Sequence, residues 1–232
     1  MPTSETATQI EVKFIKTETT IPDEGYIIHP AFTFDGNQLD GIWVAKYEAS
    51  SNTTTPDDNY GGGDDLNLQV QVRPGVQSWR NISSSTMFAV CRSMTQTGGV
   101  LAGSTNIDSH MMKNIEWGAV AILSQSKYGV FNPQSKNNGK VWNNPNGHGQ
   151  HHDTILTGYA GITADWNSSG SVSEYNTGNG PKASTTGTVY GVYDMAGGSY
   201  EYVAGCLSGK ETKFGISLGT FPDACVGLAS VI

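Results

Sequence analysis

Apolar and polar positions alternate along most patterned stretches of this chain and take helical spacing in only two. The first alternating patch, Ile10-Glu11-Val12-Lys13-Phe14-Ile15-Lys16, lies in a Thr/Glu-rich segment covering residues 1–25. One strand with polar flanks cannot stand alone. The pattern therefore predicts an arm or edge strand that docks on the body or on a neighbouring subunit, with a loosely ordered terminus as the alternative. Residues 26–50 read as strands, with a turn at Asp35-Gly36 and a half-buried strand across 42–48. A further short strand is predicted at 66–72, ended by Pro74-Gly75. Helical spacing appears first at Met87, Phe88, Val90, Cys91 and Met94, with Ser83, Ser84 and Ser85 as caps and Gly98-Gly99 as the stop. The second helix starts near Ser109 or Lys113. It carries an amphipathic face of Met112, Ile115, Glu116, Ala119, Val120 and Leu123, closed by Gly129. Residues 188–203 then predict strand, turn, strand, rich in Tyr190, Tyr193, Tyr200 and Tyr202, with Gly197-Gly198 supplying positive φ.

Composition changes this picture little. The 232 residues suffice for one large domain or a domain plus an appendage. Charged residues make up 15%, against about 25% in average proteins; Ser, Thr, Asn and Gly replace them. That balance suits a loop-rich protein working outside cells or on particle surfaces. The net charge of −8, from 13 basic and 21 acidic residues, includes no basic cluster. Nucleic acid and anionic membranes are thus excluded as partners, and no apolar run reaches the length of a membrane span. The opening residues show no export pattern. A surface-adapted chain without one leads to the expectation of a virion protein released by lysis.

Candidate chemistry is sparse. Residues 132–182 form a long Asn/Gly/Ser-rich excursion containing Trp142, Tyr159, Trp166 and Tyr175, aromatics of the kind that sugar or protein recognition uses. In the same stretch His148, His151, His152 and Asp153 could face a ligand, although their spacing and flanking glycines fit no metal-binding helix. Asp57, Asp58, Asp64 and Asp65 could collect calcium but lack the pattern of an EF-hand loop; no cofactor is expected. Glu116 reads as an orienting side chain that binds backbone donors. Cys91, Cys206 and Cys225 read as three reduced cysteines, with one disulfide plus a free thiol as the alternative; Cys91 is a core residue.

Three segments in order resemble the formylglycine-generating enzyme (sulfatase-modifying factor) family. In the first, Gly41 to Ser50, the aliphatic run through Trp43 leads into Lys46-Tyr47-Glu48. The second, Ser109 to Ala121, carries the Glu116-Trp117 pair. The third, Tyr190-Gly191-Val192-Tyr193-Asp194-Met195-Ala196-Gly197-Gly198-Ser199-Tyr200-Glu201-Tyr202, is similar to the family's G-L-Y-D-M-x-G-N-V-W-E-W. The branch most similar to it occurs in phages, prophages and Gram-positive bacteria, and includes variable receptor-binding proteins of diversity-generating retroelements. The resemblance implies an α+β, irregular C-type-lectin-like fold over residues 26–232, with two helices, short antiparallel strands and much loop.

The enzyme's paired reactive cysteines and arginine-bearing closing strand have no counterpart in residues 206–232, which hold no arginine. The resemblance therefore implies a non-enzymatic binding or structural protein on a virion or extracellular surface. It would be a homo-oligomer that contacts other virion or surface proteins through its N-terminal arm and a host glycan or protein through its loop. The alternatives are a formylglycine-generating-type oxidase and a purely architectural virion decoration.

Overall fold

The computed structural model describes residues 28–34, 36–52, 62–104, 107–130, 139–145, 155–164 and 171–205, with the backbone of two strands at 12–16 and 226–229. In chain order the elements are β1 (Val12–Lys16), a 3-10 turn (Pro30–Phe32), β2 (Thr33–Phe34), β3 (Asn37–Gln38), β4 (Gly41–Ala45), β5 (Ser50–Ser51) and β6 (Val70–Gln71). Then follow α1 (Ser84–Ser93), α2 (Asn114–Ser124), β7 (Tyr159–Ala160), β8 (Ser173–Glu174), a 3-10 turn (Gly180–Ala183), β9 (Tyr202–Gly205) and β10 (Val226–Ala229). Every strand pair among the described residues is a two-stranded antiparallel ladder. Among the described residues the class is mixed α+β, with two helices and much irregular chain. Among the described residues no helix is long and apolar enough to cross a membrane.

The alternating patch near the start does form a strand. Its backbone pairs with β4, Phe14 opposite Trp43, so this strand docks on the body of its own chain. Ser83 caps α1 by accepting from Thr86 N at 3.3 Å, as the serine run predicts. The α1 face differs from expectation: Thr86 and Val90 are buried, whereas Phe88 is 39% exposed. At about 100° per residue, Phe88 lies on the side opposite that pair. Likewise Ile115 of α2 faces outward, while Glu116, Ala119, Val120 and Ser124 turn inward.

Strands are shorter than the alternation suggests. The strand expected over 42–48 ends at Ala45, and that expected over 66–72 shrinks to Val70–Gln71. Residues 188–193 form no strand at all. Their polar backbone goes elsewhere: Val192 N donates to Thr185 Oγ1 at 3.0 Å, Val192 O accepts from Thr185 N at 2.8 Å, and Tyr193 N donates to Lys46 O at 2.8 Å. Residues 188–191 turn instead, with Gly191 N donating to Thr188 O at 3.3 Å and Tyr190 exposed. Only the short buried line from Gly191 to Asp194 threads the core, its bonds divided between two loops.

That thread joins two apolar clusters. Tyr193 belongs to one, with Tyr47, Val70, Val72, Trp79, Val90, Ala160 and Ala183; its neighbour Val192 belongs to the other, with Ala31, Phe32, Val44, Ala119 and Val120. Burial explains which helix positions matter. Val120→Ala, at a site with 0% exposure, is expected to cost about 2 kcal/mol. Ile122→Ser, at a residue 62% exposed, should change stability by less than about 0.5 kcal/mol. Urea unfolding of both variants checks this; equal effects would contradict the assignment of the buried face.

Candidate functional site

Two of the segments behind the resemblance meet at the Asp194 carboxylate, and the third joins them through Trp117 and Glu201. Asp194 is 1% exposed and has φ 62°. Its Oδ1 accepts from Asn144 Nδ2 and Gly158 N, each at 3.0 Å, and its Oδ2 from Gly158 N at 3.0 Å and Glu48 N at 3.2 Å. A left-handed backbone is tolerated by Asp, and here it turns the side chain back toward three loops. Glu48 answers from the other side: its Oε1 accepts from Ser199 N at 2.9 Å, and Ser78 Oγ donates to its Oε2.

Between Asp194 and Ser199 the chain needs two glycines. Gly197 and Gly198 have φ of +81° and +77°, as the sequence predicts for this pair. Space requires them as well. A Cβ on Gly197 would strike the Asn144 backbone, and one on Gly198 would sit 2.7 Å from Glu48 Oε1. Gly198 N meanwhile donates to Asn144 O at 2.9 Å. Met195 follows Asp194 and packs against the Val120 cluster.

Tyrosine rings cover the same crossing. Tyr47 stacks on Tyr193 with centroids 5.1 Å apart, and Tyr175 meets both edge-on at 5.8 and 6.2 Å. Lys46 Nζ lies 5.3 to 5.9 Å from all three ring centroids, within cation–π reach. Glu201, just before β9, accepts from Trp117 Nε1 at 2.6 Å, tying the third segment to α2. Glu116 caps that helix by accepting from Lys113 N at 2.8 Å, the orienting role its setting predicts. Trp43 stands apart, exposed on β4.

The site's electrostatics follow from burial. Burial pushes the Asp194 carboxyl up to about 6, against the pull of its donors on Gly158, Asn144 and Glu48. It pushes Glu201 up to about 7, opposed by the Trp117 N–H and helped by the Asp194 charge. Glu48 rises well above its ordinary value through burial and then the charges of Asp194 and Glu201. Three carboxyls are thus held in one interior, each with a hydrogen-bond donor. The arrangement locks loops together.

The loop residues proposed for ligand contact do not form one surface among those described. Tyr175 is part of the core tyrosine group. Tyr159 lies in β7 opposite Glu174 of β8, and burial together with the Glu174 charge raises its phenol. Trp142 is half-buried with Lys182 Nζ 4.3 Å from its ring centroid. His148, His151, His152, Asp153 and Trp166 lie outside the described residues, as do Asp57 and Asp58. Asp64 Oδ1 accepts from Ser83 N at 2.6 Å, a bond across 19 residues to the cap of α1, and Asp65 Oδ1 accepts from Asn67 N at 2.8 Å, a local turn bond. Among the described residues no group of three or more His, Cys, Asp or Glu side chains is placed to hold a metal ion. Burial pushes the Cys91 thiol up to about 11, which makes it inert near neutrality; Cys206 and Cys225 lie outside the described residues. Sequence reasoning missed Asn144, Gly158 and Ser78, which sit in unpatterned stretches with no motif to mark them.

No family model and no curated protein matches the chain.

Two outcomes test this junction. Asp194→Asn removes the charge and turns an amide N–H toward groups that already donate, so a loss of about 2–4 kcal/mol is expected in urea unfolding. Asp194 and Glu201, at about 6 and about 7 when folded, stand above ordinary values of 3.8 and 4.5. The folded state therefore binds more protons than the unfolded chain in that window, and stability falls as pH rises from about 5 to about 7. The depressed carboxyls of Asp64, Asp108 and Glu116 act with opposite sign, and only below about pH 5. Thermal unfolding across this range should show the fall in the wild type and a smaller one in Asp194→Asn. A flat or rising wild-type profile would contradict it.

Proposed function

We propose that this chain is a non-enzymatic, surface-displayed binding or structural protein with a C-type-lectin-like fold of the formylglycine-generating-enzyme kind. Its setting would be a phage virion or a bacterial surface, and its ligand a host glycan or protein. One observation carries the reading. The three segments that resemble the family converge in space, Lys46-Tyr47-Glu48 against Tyr193-Asp194 and Glu201 against Trp117. Their meeting in one place supports the resemblance.

The chemistry of that meeting point favours binding over catalysis. Glu48, Asp194, Glu116 and Glu201 are all engaged by donors that position backbone or helix ends. The described cysteine has a thiol pushed far from the reactive range. Outside the core, Tyr190 and Tyr200 stand exposed beside the junction in sequence, and Trp142 lies half-open next to Lys182. Aromatic area on a rigid frame suits recognition. Contact with other subunits would run through the N-terminal arm, whose β1 pairs with β4 alone among the described strands.

Mass spectrometry of purified particles and of host surface fractions tests the setting: enrichment in either supports it, and absence from both overturns it. A glycan and host-protein array then tests recognition. Trp142→Ala and Trp166→Ala are expected to weaken binding to the ligand found by about tenfold or more. Wild-type binding by both variants would remove the loop from the ligand contact.

A further inference from the structure

His110 lies in the segment between α1 and α2, and both of its ring nitrogens face carboxylates. Nδ1 is 2.7 Å from Asp108 Oδ2, and Nε2 is 3.1 Å from each carboxylate oxygen of Glu116. An ionised carboxylate only accepts hydrogen bonds, and a neutral imidazole carries a single N–H. Acceptors on both nitrogens are satisfied together only by the imidazolium. We infer that His110 is a proton-operated clamp: doubly protonated, it ties the end of α1 to the first turn of α2, and loss of its proton releases one of the two ties.

Each tie leads into a helix. Asp108 also pairs with Arg92 in the last turn of α1, and Ser109 Oγ donates to Cys91 O at 2.7 Å. Glu116 holds the start of α2 through Lys113 N at 2.8 Å and Lys113 Nζ at 3.1 Å. The residues beside it reach β9, where Ala204 N donates to Met112 O at 2.8 Å and Lys113 bridges Ala204. The clamp therefore sits where α1, α2 and β9 come together.

The charged groups around it are Arg92 from α1, Asp108 from the connection, and Lys113 and Glu116 from α2. From β2 comes the Phe34 ring, 5.8 Å from Lys113 Nζ. On the β9 side Glu201 is engaged by Trp117. The two carboxylates outweigh Lys113 and burial. The Glu116 hydrogen bond is the largest influence and raises His110 above 6.5. Burial pushes Asp108 and Glu116 up, but the His110 hydrogen bond, with its charge and the other donors, carries both below their ordinary values. A raised histidine stabilises fully below 6.5 and loses that contribution as pH rises through its folded value.

Nuclear magnetic resonance of the imidazole nitrogens in the whole chain tests this, with His110→Gln identifying the His110 signals among five histidines. Both nitrogens should be protonated at pH 6.5, the ordinary value, with a midpoint above it. Asp108→Asn should lower that midpoint by about 0.5–1 unit. The melting temperature of wild type should exceed that of His110→Gln most below pH 6.5, and the difference should shrink as pH rises through the folded midpoint. A merely structural histidine would give a difference independent of pH. A single neutral tautomer at pH 6.5, a midpoint at or below 6.5, or no response to Asp108→Asn would each overturn the clamp. If His110→Gln does not fold, the wild-type titration and its shift in Asp108→Asn decide the matter.

Discussion

The Asp194 carboxylate is the constraint on which the rest of this structure depends. Most of the described strands are two residues long, too short to fix one another by ladder bonds, so the loops need another source of register. Asp194 supplies it by accepting from the backbones of Glu48 and Gly158 and the side chain of Asn144, segments 36 to 146 residues away in sequence. A buried N–H without a partner costs about 1–3 kcal/mol. Several such groups discharged on one side chain make its position hard to change. Glu48 repeats the device toward Ser199, so the 194–199 turn is held at both ends.

Such an interior has consequences for what the chain can do. Its carboxyls sit close together out of water, and each is occupied in holding backbone. A polar core of this kind is specific only when its members are satisfied. Once satisfied, it frees the surface from any part in stability. Exposed aromatics and long loops can then vary in chemistry while the frame stays put, the division of labour that a binding protein requires. Protons enter as well, since raised buried carboxyls and the His110 clamp both make the fold more stable in mildly acidic solution than near neutrality.

Much of the frame is legible in the sequence, for identifiable reasons. Serine before an apolar period marks Ser83 as a cap, and Gly197-Gly198 announces positive φ because few other residues adopt it. The Lys46-Tyr47-Glu48 and Tyr193-Asp194 strings carry the same information through resemblance. The strand expected at 188–193 misleads because β-branched and aromatic residues also suit a turn that exposes Tyr190 and a short buried path beyond it, whether or not a partner strand exists. Phe88 and Ile115 mislead because a short helix docks by a narrower stripe than its apolar residues cover. Asn144, Gly158 and Ser78 were invisible: each acts through a contact set by tertiary structure, and nothing local distinguishes them from their Asn/Gly/Ser-rich surroundings.

Native-state hydrogen exchange at the backbone amides of Glu48, Gly158 and Ser199 tests the central role of this junction most directly. If Asp194 and Glu48 hold the loops in register, these three amides exchange only through global unfolding. Their opening free energies then equal that of Val120 in the buried face of α2, although none of the three lies in a helix or ladder. Opening free energies near those of the exposed turns, with Val120 still fully protected, would show that the junction forms after the core and does not organise it.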